Sequence, residues 1–296
     1  MTLAESIHPL EEALAPNTGE SEGHSGPELS FGRPSGPGWY FVSELLDDEE
    51  KLNELLGLFG KHVKTERPFL QAALFMSWYT HLFATDVVYG LYTLKRVPDV
   101  SADNFAFRLD SSGEIVEYAF YSRRFAALPA DSAATHADAV TVPDFESLIA
   151  WMFERMIERH MRPLFSHVRA RTKLGMNVVW ASVATCCAGA IMRLQRAGFF
   201  TVEEAMAAKT SLLDRGPKPL RERLSVYPLS SGDHQALFMR VEVCCQKYLH
   251  PDMGKCGYCA LRPSEEQREM QQYYFDRHVA ELERESCVSP EPASTT

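Results

Sequence analysis

The sequence predicts an α+β protein that is predominantly helical, with β-hairpins and a cysteine loop near its C-terminus. Apolar residues recur with the helical period of 3.6 in several segments of the 296-residue chain, and in two places the period changes to two. Four of the seven cysteines fall within residues 244–259. A chain of this length can bury one large core or two modest ones.

Composition divides the chain into four predicted parts. Residues 1–37 are expected to be a disordered N-terminal tail, because much of the segment is rich in Gly, Ser, Pro and Glu and buries little apolar surface. Residues 38–142 are predicted to form a helical and hairpin subdomain, and 143–286 a helical subdomain that carries the cysteine loop. Residues 287–296 are expected to be a second disordered tail.

The predicted N-terminal subdomain consists of two helices and a hairpin. Helical spacing of apolar residues predicts helices over 43–64 and 69–94. Alternation of apolar and polar residues over 104–121, around a turn at 110–113, predicts a β-hairpin. Residues 126–142 have little pattern and are expected to form a loop at the subdomain boundary.

The predicted C-terminal subdomain begins with the clearest helix of the chain, from Phe145 to Val168, which Pro163 should kink or split. Residues 174–192 follow without a charge. Their small and polar members favour a buried central helix over a membrane span. Cys186 and Cys187 lie inside this helix with side chains about 100° apart, so they are expected to be core residues and not shared metal ligands.

The remaining elements lead into and out of the cysteine loop. A capping box at Thr201–Glu204 predicts a helix to about residue 213, and strands are expected over 224–229 and 236–243. A final helix is predicted from Ser264 to about Glu285. Its buried side is expected to carry Met270, Tyr273, Tyr274 and Leu282.

Composition also excludes several classes of function. A net charge of −10 argues against a nucleic-acid-binding protein, which normally has a basic face. The odd number of cysteines favours a reducing compartment, and the N-terminus has no basic start followed by an apolar stretch, so a cytoplasmic location is expected. No catalytic triad, phosphate loop, Rossmann fingerprint or flavin motif is recognisable.

The cysteine loop is the strongest chemical signal in the sequence. Cys244 and Cys245 are adjacent, and after a ten-residue spacer Cys256 and Cys259 form a C-x-x-C pair around Gly257. Four thiolates at one point suit an iron–sulfur cluster or zinc. Adjacent ligands are unusual in structural zinc sites, which favours a two-iron cluster; zinc and a redox-active disulfide remain alternatives.

This C-C-x10-C-x2-C pattern resembles the FhuF family of ferric siderophore reductases. The resemblance includes Tyr248, Pro251 and Gly254 in the spacer and Arg240 shortly before it. After the last cysteine the family often has proline, whereas this chain has Ala260, with Pro263 three residues later.

The resemblance implies that the four cysteines hold a [2Fe-2S] cluster that reduces iron(III) bound to a hydroxamate siderophore. Electrons would then come from a ferredoxin or a flavoprotein. Lys247, His250 and Lys255 are basic residues of the loop and are predicted to contact the siderophore or to favour the reduced cluster. The alternative functions are an interaction protein with structural zinc and an iron–sulfur redox sensor. Peripheral contact with the inner face of a membrane is left open.

Overall fold

The structure, a computed structural model, describes residues 7–14 and 27–288. It confirms the predicted class, since 55% of the described residues are helical, 16% are in strands and the sheets are small. The helices are α1 (Pro9–Leu14), α2 (Val42–Asp47), α3 (Glu49–His62), α4 (Pro68–Thr93), α5 (Phe145–Phe153), α6 (Arg162–Thr172), α7 (Met176–Arg196), α8 (Val202–Arg215) and α9 (Ser264–Val288).

The strands form three small sheets. The first has the order β1-β5-β4-β2, the second β3-β6-β7, and the third is the hairpin β8-β9. Their bounds are β1 (Glu28–Phe31), β2 (Trp39–Phe41), β3 (Arg96–Pro98), β4 (Phe105–Leu109), β5 (Ile115–Phe120), β6 (Phe125–Ala127), β7 (Ala139–Thr141), β8 (Leu224–Ser231) and β9 (His234–Val241).

Helices α4 and α7 pack against each other at the centre of the molecule. Most of their residues are buried, as expected for helices that are apolar on nearly every face. The C-terminal end of α4 lies near the residues that follow α7, because the Tyr92 and Phe200 rings meet edge to face at 5.5 Å. Among the described residues α7 is the one helix long and apolar enough to span a membrane, and 83% of its most apolar window is buried inside the protein.

The predicted N-terminal tail is wrong for the part of it that the structure describes. Leu10 and Leu14 of α1 are buried in the main core, and β1 pairs in parallel with β5. The composition of the segment did not predict these contacts. A few apolar residues are enough to order a short segment when the rest of the protein already provides a surface for them to pack on. Residues 1–6 and 15–26 of that prediction lie outside the described residues, as do 289–296 of the C-terminal one, while α9 runs on to Val288.

Most of the predicted elements are confirmed, with local differences. The helix predicted over 43–64 is two helices, because the Asp48 side chain accepts a hydrogen bond from the Lys51 amide and starts α3 afresh. The hairpin over 104–121 is β4 and β5. The loop expected over 126–142 contains β7 and most of β6, which pair in parallel.

The long helical pattern changes type before Pro163 but is not split there, since Met161 and Arg162 keep right-handed helical backbone angles. Residues Glu154–Met161 form a π-helical segment between α5 and α6, and the Arg162 amide donates to the carbonyl of Ile157, five residues earlier. Pro163 follows in the first turn of α6, where its missing N–H group leaves no donor for an ordinary helical bond.

A single hydrophobic core extends across the predicted subdomain boundary at residue 142. It includes Phe107 and Phe120 from the N-terminal side and Met156, Leu164 and Ile191 from the C-terminal side. The division into two subdomains stays a prediction. A small separate cluster joins Leu229 and Ala236 of the β8–β9 hairpin to Phe275 and Val279 of α9.

Candidate metal centre

The β8–β9 hairpin delivers the chain to the cysteine loop. The two strands pair from Leu224–Val241 to Ser231–His234, with a two-residue turn in which Gly232 has φ 55°. Where β9 ends, the Val241 amide donates to the carbonyl of Tyr258 at 3.0 Å. The returning half of the loop is therefore held against the end of the strand that enters it, which brings the two cysteine pairs together.

The four cysteines are free thiols whose sulfurs contact one another. Cys256 makes thiol contacts with both Cys245 and Cys259, and Cys244 makes one with Cys259. Cys244 and Cys259 are buried, at 8% and 1% exposure, whereas Cys245 and Cys256 are half-buried. The predicted ligands thus lie together, with one closed side and one side open to solvent.

Backbone amides point at three of the sulfurs. Gln246 N donates to Cys244 Sγ and Leu261 N to Cys259 Sγ, each at 3.4 Å. The amide of Lys247 donates to Cys245. Donors of this kind stabilise negative charge on sulfur, which is the charge that a bound metal requires of its thiolate ligands.

The environment separates the acidities of the thiols. The hydrogen bond from Cys256 lowers the pKa of Cys245 to about 6, helped by the amide and the charge of Lys247. The same contact raises the pKa of Cys256 well above its usual value. Burial raises the pKa of Cys244 to about 11. Cys245 is therefore ready to ionise at neutral pH, while Cys244 and Cys256 keep their protons.

Arg240 organises the exit from the loop. Its guanidinium donates to the carbonyls of Ala260 and Arg262 and to the side chain of Gln267, at 2.6–3.1 Å. The segment after Cys259 is held by this side chain although proline is absent from position 260.

Two glutamines of α9 complete the support, and the sequence interpretation missed them. Gln267 and Gln271 both donate to the carbonyl of Met239, and Gln271 also donates to that of Gly257. The predicted buried side of α9 is wrong for three of its four residues, since Tyr273, Tyr274 and Leu282 are 40–60% exposed, while Met270 is half-buried. The buried positions of α9 recur every four residues; they are Gln267, Gln271, Phe275 and Val279. Because the first two are polar, a search for apolar residues at helical spacing did not find this face.

His250 anchors the loop and does not face a substrate. It is 4% exposed; its Nε2 lies 2.6 Å from the carbonyl oxygen of Val63, and its Nδ1 accepts from the Asp252 amide. With both ring nitrogens occupied inside the protein, the predicted siderophore contact is contradicted for this residue. Lys247 is half-buried beside Cys245, and Lys255 is exposed with its Nζ 3.2 Å from the Leu261 carbonyl; their predicted contacts stay predictions.

A second group of potential ligands is held by hydrogen bonds instead. The donor atoms of His8, His136 and Asp138 lie within 4.8 Å of one another. His8 Nδ1 accepts from the Leu10 amide, so its proton is on Nε2, which donates to Asp138 at 3.2 Å. His136 Nδ1 likewise accepts from the Asp138 amide. This arrangement fastens α1 to the loop before β7 without needing an ion.

The fold and the site together define a predominantly helical α+β protein with a four-thiol centre on a C-terminal loop. The family model described as "Ferric iron reductase FhuF-like transporter" matches residues 73–227, just over half of the chain. The chain belongs to this FhuF-like family. The matched segment covers the central helices and β8 up to Tyr227, and the four cysteines follow it. No curated protein matches the chain.

Proposed function

We propose that this protein is a ferric siderophore reductase in which Cys244, Cys245, Cys256 and Cys259 hold a [2Fe-2S] cluster. The observation that carries the proposal is the loop itself, which gathers four free thiols in a protein of the FhuF-like ferric iron reductase family. When bound, such a cluster supplies one electron at a time.

The spacing of the sulfurs supports two irons over one zinc ion. Zn–S bonds of about 2.3 Å would bring all four sulfurs to within about 3.8 Å of one another. Within residues 7–14 and 27–288, the set of three or more potential ligands that lie mutually within 4.8 Å is the His8 group, and the loop cysteines do not form such a set. Their sulfurs instead touch in a chain, from Cys245 through Cys256 and Cys259 to Cys244. A two-iron cluster has this wider shape because each iron takes two thiolates.

The residues around the thiols have three tasks in this mechanism. Cys244 and Cys259 face the protein, where water is excluded, while Cys245 and Cys256 form the edge that a ferric complex can approach. The amides of Gln246, Lys247 and Leu261 donate to sulfur and favour the more negative, reduced state. Tyr248 and Leu261, 39% and 43% exposed, offer apolar surface beside that edge.

Release of the metal follows from the change in charge. Hydroxamate oxygens are hard ligands that hold iron(III) strongly and iron(II) weakly, so one-electron reduction loosens the complex. Lys247 and Lys255 are the proposed siderophore contacts on the loop, since both ammonium groups are at or near the surface. The proposed electron source is a separate carrier protein, and the proposed location is the cytoplasm.

Anaerobic purification followed by reduction tests the proposal. We expect a coloured protein with about two irons and two sulfides per chain, reoxidised by a ferric hydroxamate as iron(II) appears in a ferrous chelator. The matched control is Cys256→Ser, which should neither bind iron nor produce iron(II). Stoichiometric zinc in a colourless protein would instead establish a structural site. A cluster that ferric hydroxamates leave reduced would contradict the substrate and favour a redox sensor.

A further inference from the structure

A basic groove lies where α6 ends and α7 begins. It is lined by Arg162, Ser166, Arg169, Lys173 and Trp180, together with Ala170 and Met176, and has a volume of about 690 Å³. Trp180 is 4% exposed and lies beneath the Arg162 guanidinium, whose Cζ is 5.3 Å from the ring centroid. The groove therefore combines a buried aromatic ring, that of Trp180, with the cationic side chains of Arg162, Arg169 and Lys173.

The groove lies in a positively charged stretch of a negatively charged protein. Residues 159–202 contain seven Arg and Lys, of which Arg162, Arg169 and Lys173 line the groove, and no Asp or Glu, although the whole chain has a net charge of −10. Acidic residues from outside that segment neutralise some of these cations: Glu158 pairs with Arg162, and Glu49 with Arg171.

Two cations of the groove stay uncompensated. Arg169 and Lys173 are exposed, and neither has an ion-pair partner in the part of the chain that the structure describes. A positive field concentrated at one place on an acidic protein attracts and orients acidic partners that the remaining surface repels.

The groove lies toward the same end of α7 as the cysteine loop. β9 begins beside the C-terminal end of α7, where Gln195 donates to the Gln235 carbonyl and Arg196 to that of Leu237. Further along, Met239 lies beside Gly189, six residues nearer the start of the helix. β9 therefore runs from the end of α7 toward its beginning, and the chain then enters the loop.

We propose that this groove docks the acidic electron-transfer protein that reduces the cysteine centre. The inference rests on the proposed reductase function. The reduced carrier gives up one electron and is oxidised by one unit, the centre is reduced by one unit, and no proton or covalent bond is involved. Arg169 and Lys173 provide the attraction, and Arg162 on Trp180 provides a rigid contact at the middle of the surface.

Two other occupants fit the groove less well. Its charged residues are exposed, so a small anion would remain largely in water, whereas small-molecule sites bury most of their ligand. Stable attachment to an anionic membrane combines such cations with an inserted apolar group, but Trp180 is buried and Met176 is half-buried. A folded acidic protein can cover the whole groove without either requirement.

Binding of an acidic plant-type [2Fe-2S] ferredoxin to the metal-loaded protein tests the proposal. By calorimetry at 20 mM salt, we expect Arg169→Glu with Lys173→Glu to weaken binding at least tenfold and to flatten its dependence on salt up to 300 mM. The matched control is Lys218→Glu with Arg221→Glu, two exposed cations that do not line the groove and lie next to Gly216, which packs on Phe153 at the end of α5. The control should change binding less than threefold.

A milder pair of variants guards against misfolding. Lys173 has φ 56°, a left-handed conformation that Asn adopts more readily than Glu. Arg169→Gln with Lys173→Asn should therefore fold as the wild type does. On a logarithmic scale, it should weaken ferredoxin binding about half as much as the two Glu substitutions do. Circular dichroism checks the fold of each variant.

The outcomes separate this proposal from the reductase function. Dithionite-reduced wild type and Arg169→Glu/Lys173→Glu should be reoxidised by a ferric hydroxamate at equal rates, because the groove serves only the donor. Equal ferredoxin binding by groove and control variants overturns the docking site. Binding of the wild type to anionic phosphatidylserine vesicles but not to ferredoxin overturns it in favour of a membrane. If the Arg169→Glu/Lys173→Glu variant loses ferredoxin binding but the wild-type cluster is not reoxidised by hydroxamates, the docking site is supported and the reductase function is contradicted.

Discussion

The chain contains two pairs of adjacent cysteines whose surroundings differ completely. Cys186 and Cys187 lie within α7 at 1% and 0% exposure, and burial raises the pKa of both, that of Cys187 to about 12. Cys244 and Cys245 follow the end of β9, and each sulfur contacts another cysteine across the loop.

The backbone causes this difference. Inside a helix, consecutive side chains diverge by about 100°, so neighbouring thiols enter different parts of the core. After β9 the chain turns at Gln246, which has φ 67°, and bends back on itself. The adjacent cysteines of this chain therefore meet other thiols only where the backbone leaves regular structure and a second pair returns to the first.

The sharpest test of the comparison replaces one cysteine of each pair. Cys245→Ser should abolish iron and sulfide binding completely, because a loop ligand is lost, whereas Cys187→Ala should keep full metal content and lose about 1–2 kcal/mol of stability to the small cavity. Metal analysis and the visible spectrum measure the first effect, and denaturant unfolding the second. Equal metal content in the two variants would contradict the assignment of the loop as the metal centre.

His160 and His250, the two buried histidines among the described residues, extend the comparison to pH. Burial lowers the pKa of His160, among core aromatic rings, to about 4 from the ordinary 6.5. The folded state therefore resists protonation that the unfolded chain accepts, so stability is full above about pH 6.5 and falls by about 3 kcal/mol as pH drops to about 4. Below about pH 4 His160 is protonated in both the folded and the unfolded state, so it lowers the stability no further.

Replacement of His160 isolates its contribution. Denaturant unfolding of His160→Gln should depend less on pH between 6.5 and 4 than unfolding of the wild type, since Gln does not titrate. The control is His278→Gln on the exposed side of α9, which should retain the wild-type slope. A His160→Gln profile parallel to the wild type would show that other groups cause the acid sensitivity.

His250 contributes a smaller effect at the loop. Its removal in His250→Ala leaves the Val63 carbonyl without its partner and should lower stability by about 1–3 kcal/mol. Because the same contact fixes the loop to the end of α3, metal loading should fall as well. Lys255→Ala, four residues before Cys259 and exposed, is the control that should change stability by less than about 0.5 kcal/mol. A stable, fully loaded His250→Ala protein would argue against the anchoring role.

Gln246 gives the smallest predicted change, in the opposite direction. Gln246→Gly should raise the stability of the metal-free protein by about 0.5–1 kcal/mol, because glycine adopts positive φ without steric cost. The neighbouring Lys247→Gly, at a position without positive φ, should lower it by a similar amount. Thermal unfolding of the two variants measures the contrast, and a decrease in both would show that the turn is not strained.

The sequence by itself determined the features that depend on near neighbours. Apolar spacing predicted α4 and α7 nearly to their ends, Thr201 and Glu204 form the expected capping box, and Pro163 lies where the long helix changes from π to α. The spacing of the loop predicted that its four cysteines lie together, because four cysteines within sixteen residues are typical of a metal-binding loop.

Only the tertiary structure decided the features that depend on distant partners. It placed α1 and β1 on the core, turned Gln267 and Gln271 of α9 toward the loop, and directed His250 to the Val63 carbonyl, 187 residues away. The physical reason is that a polar side chain is buried only when a specific partner satisfies it, and local spacing carries no information about that partner.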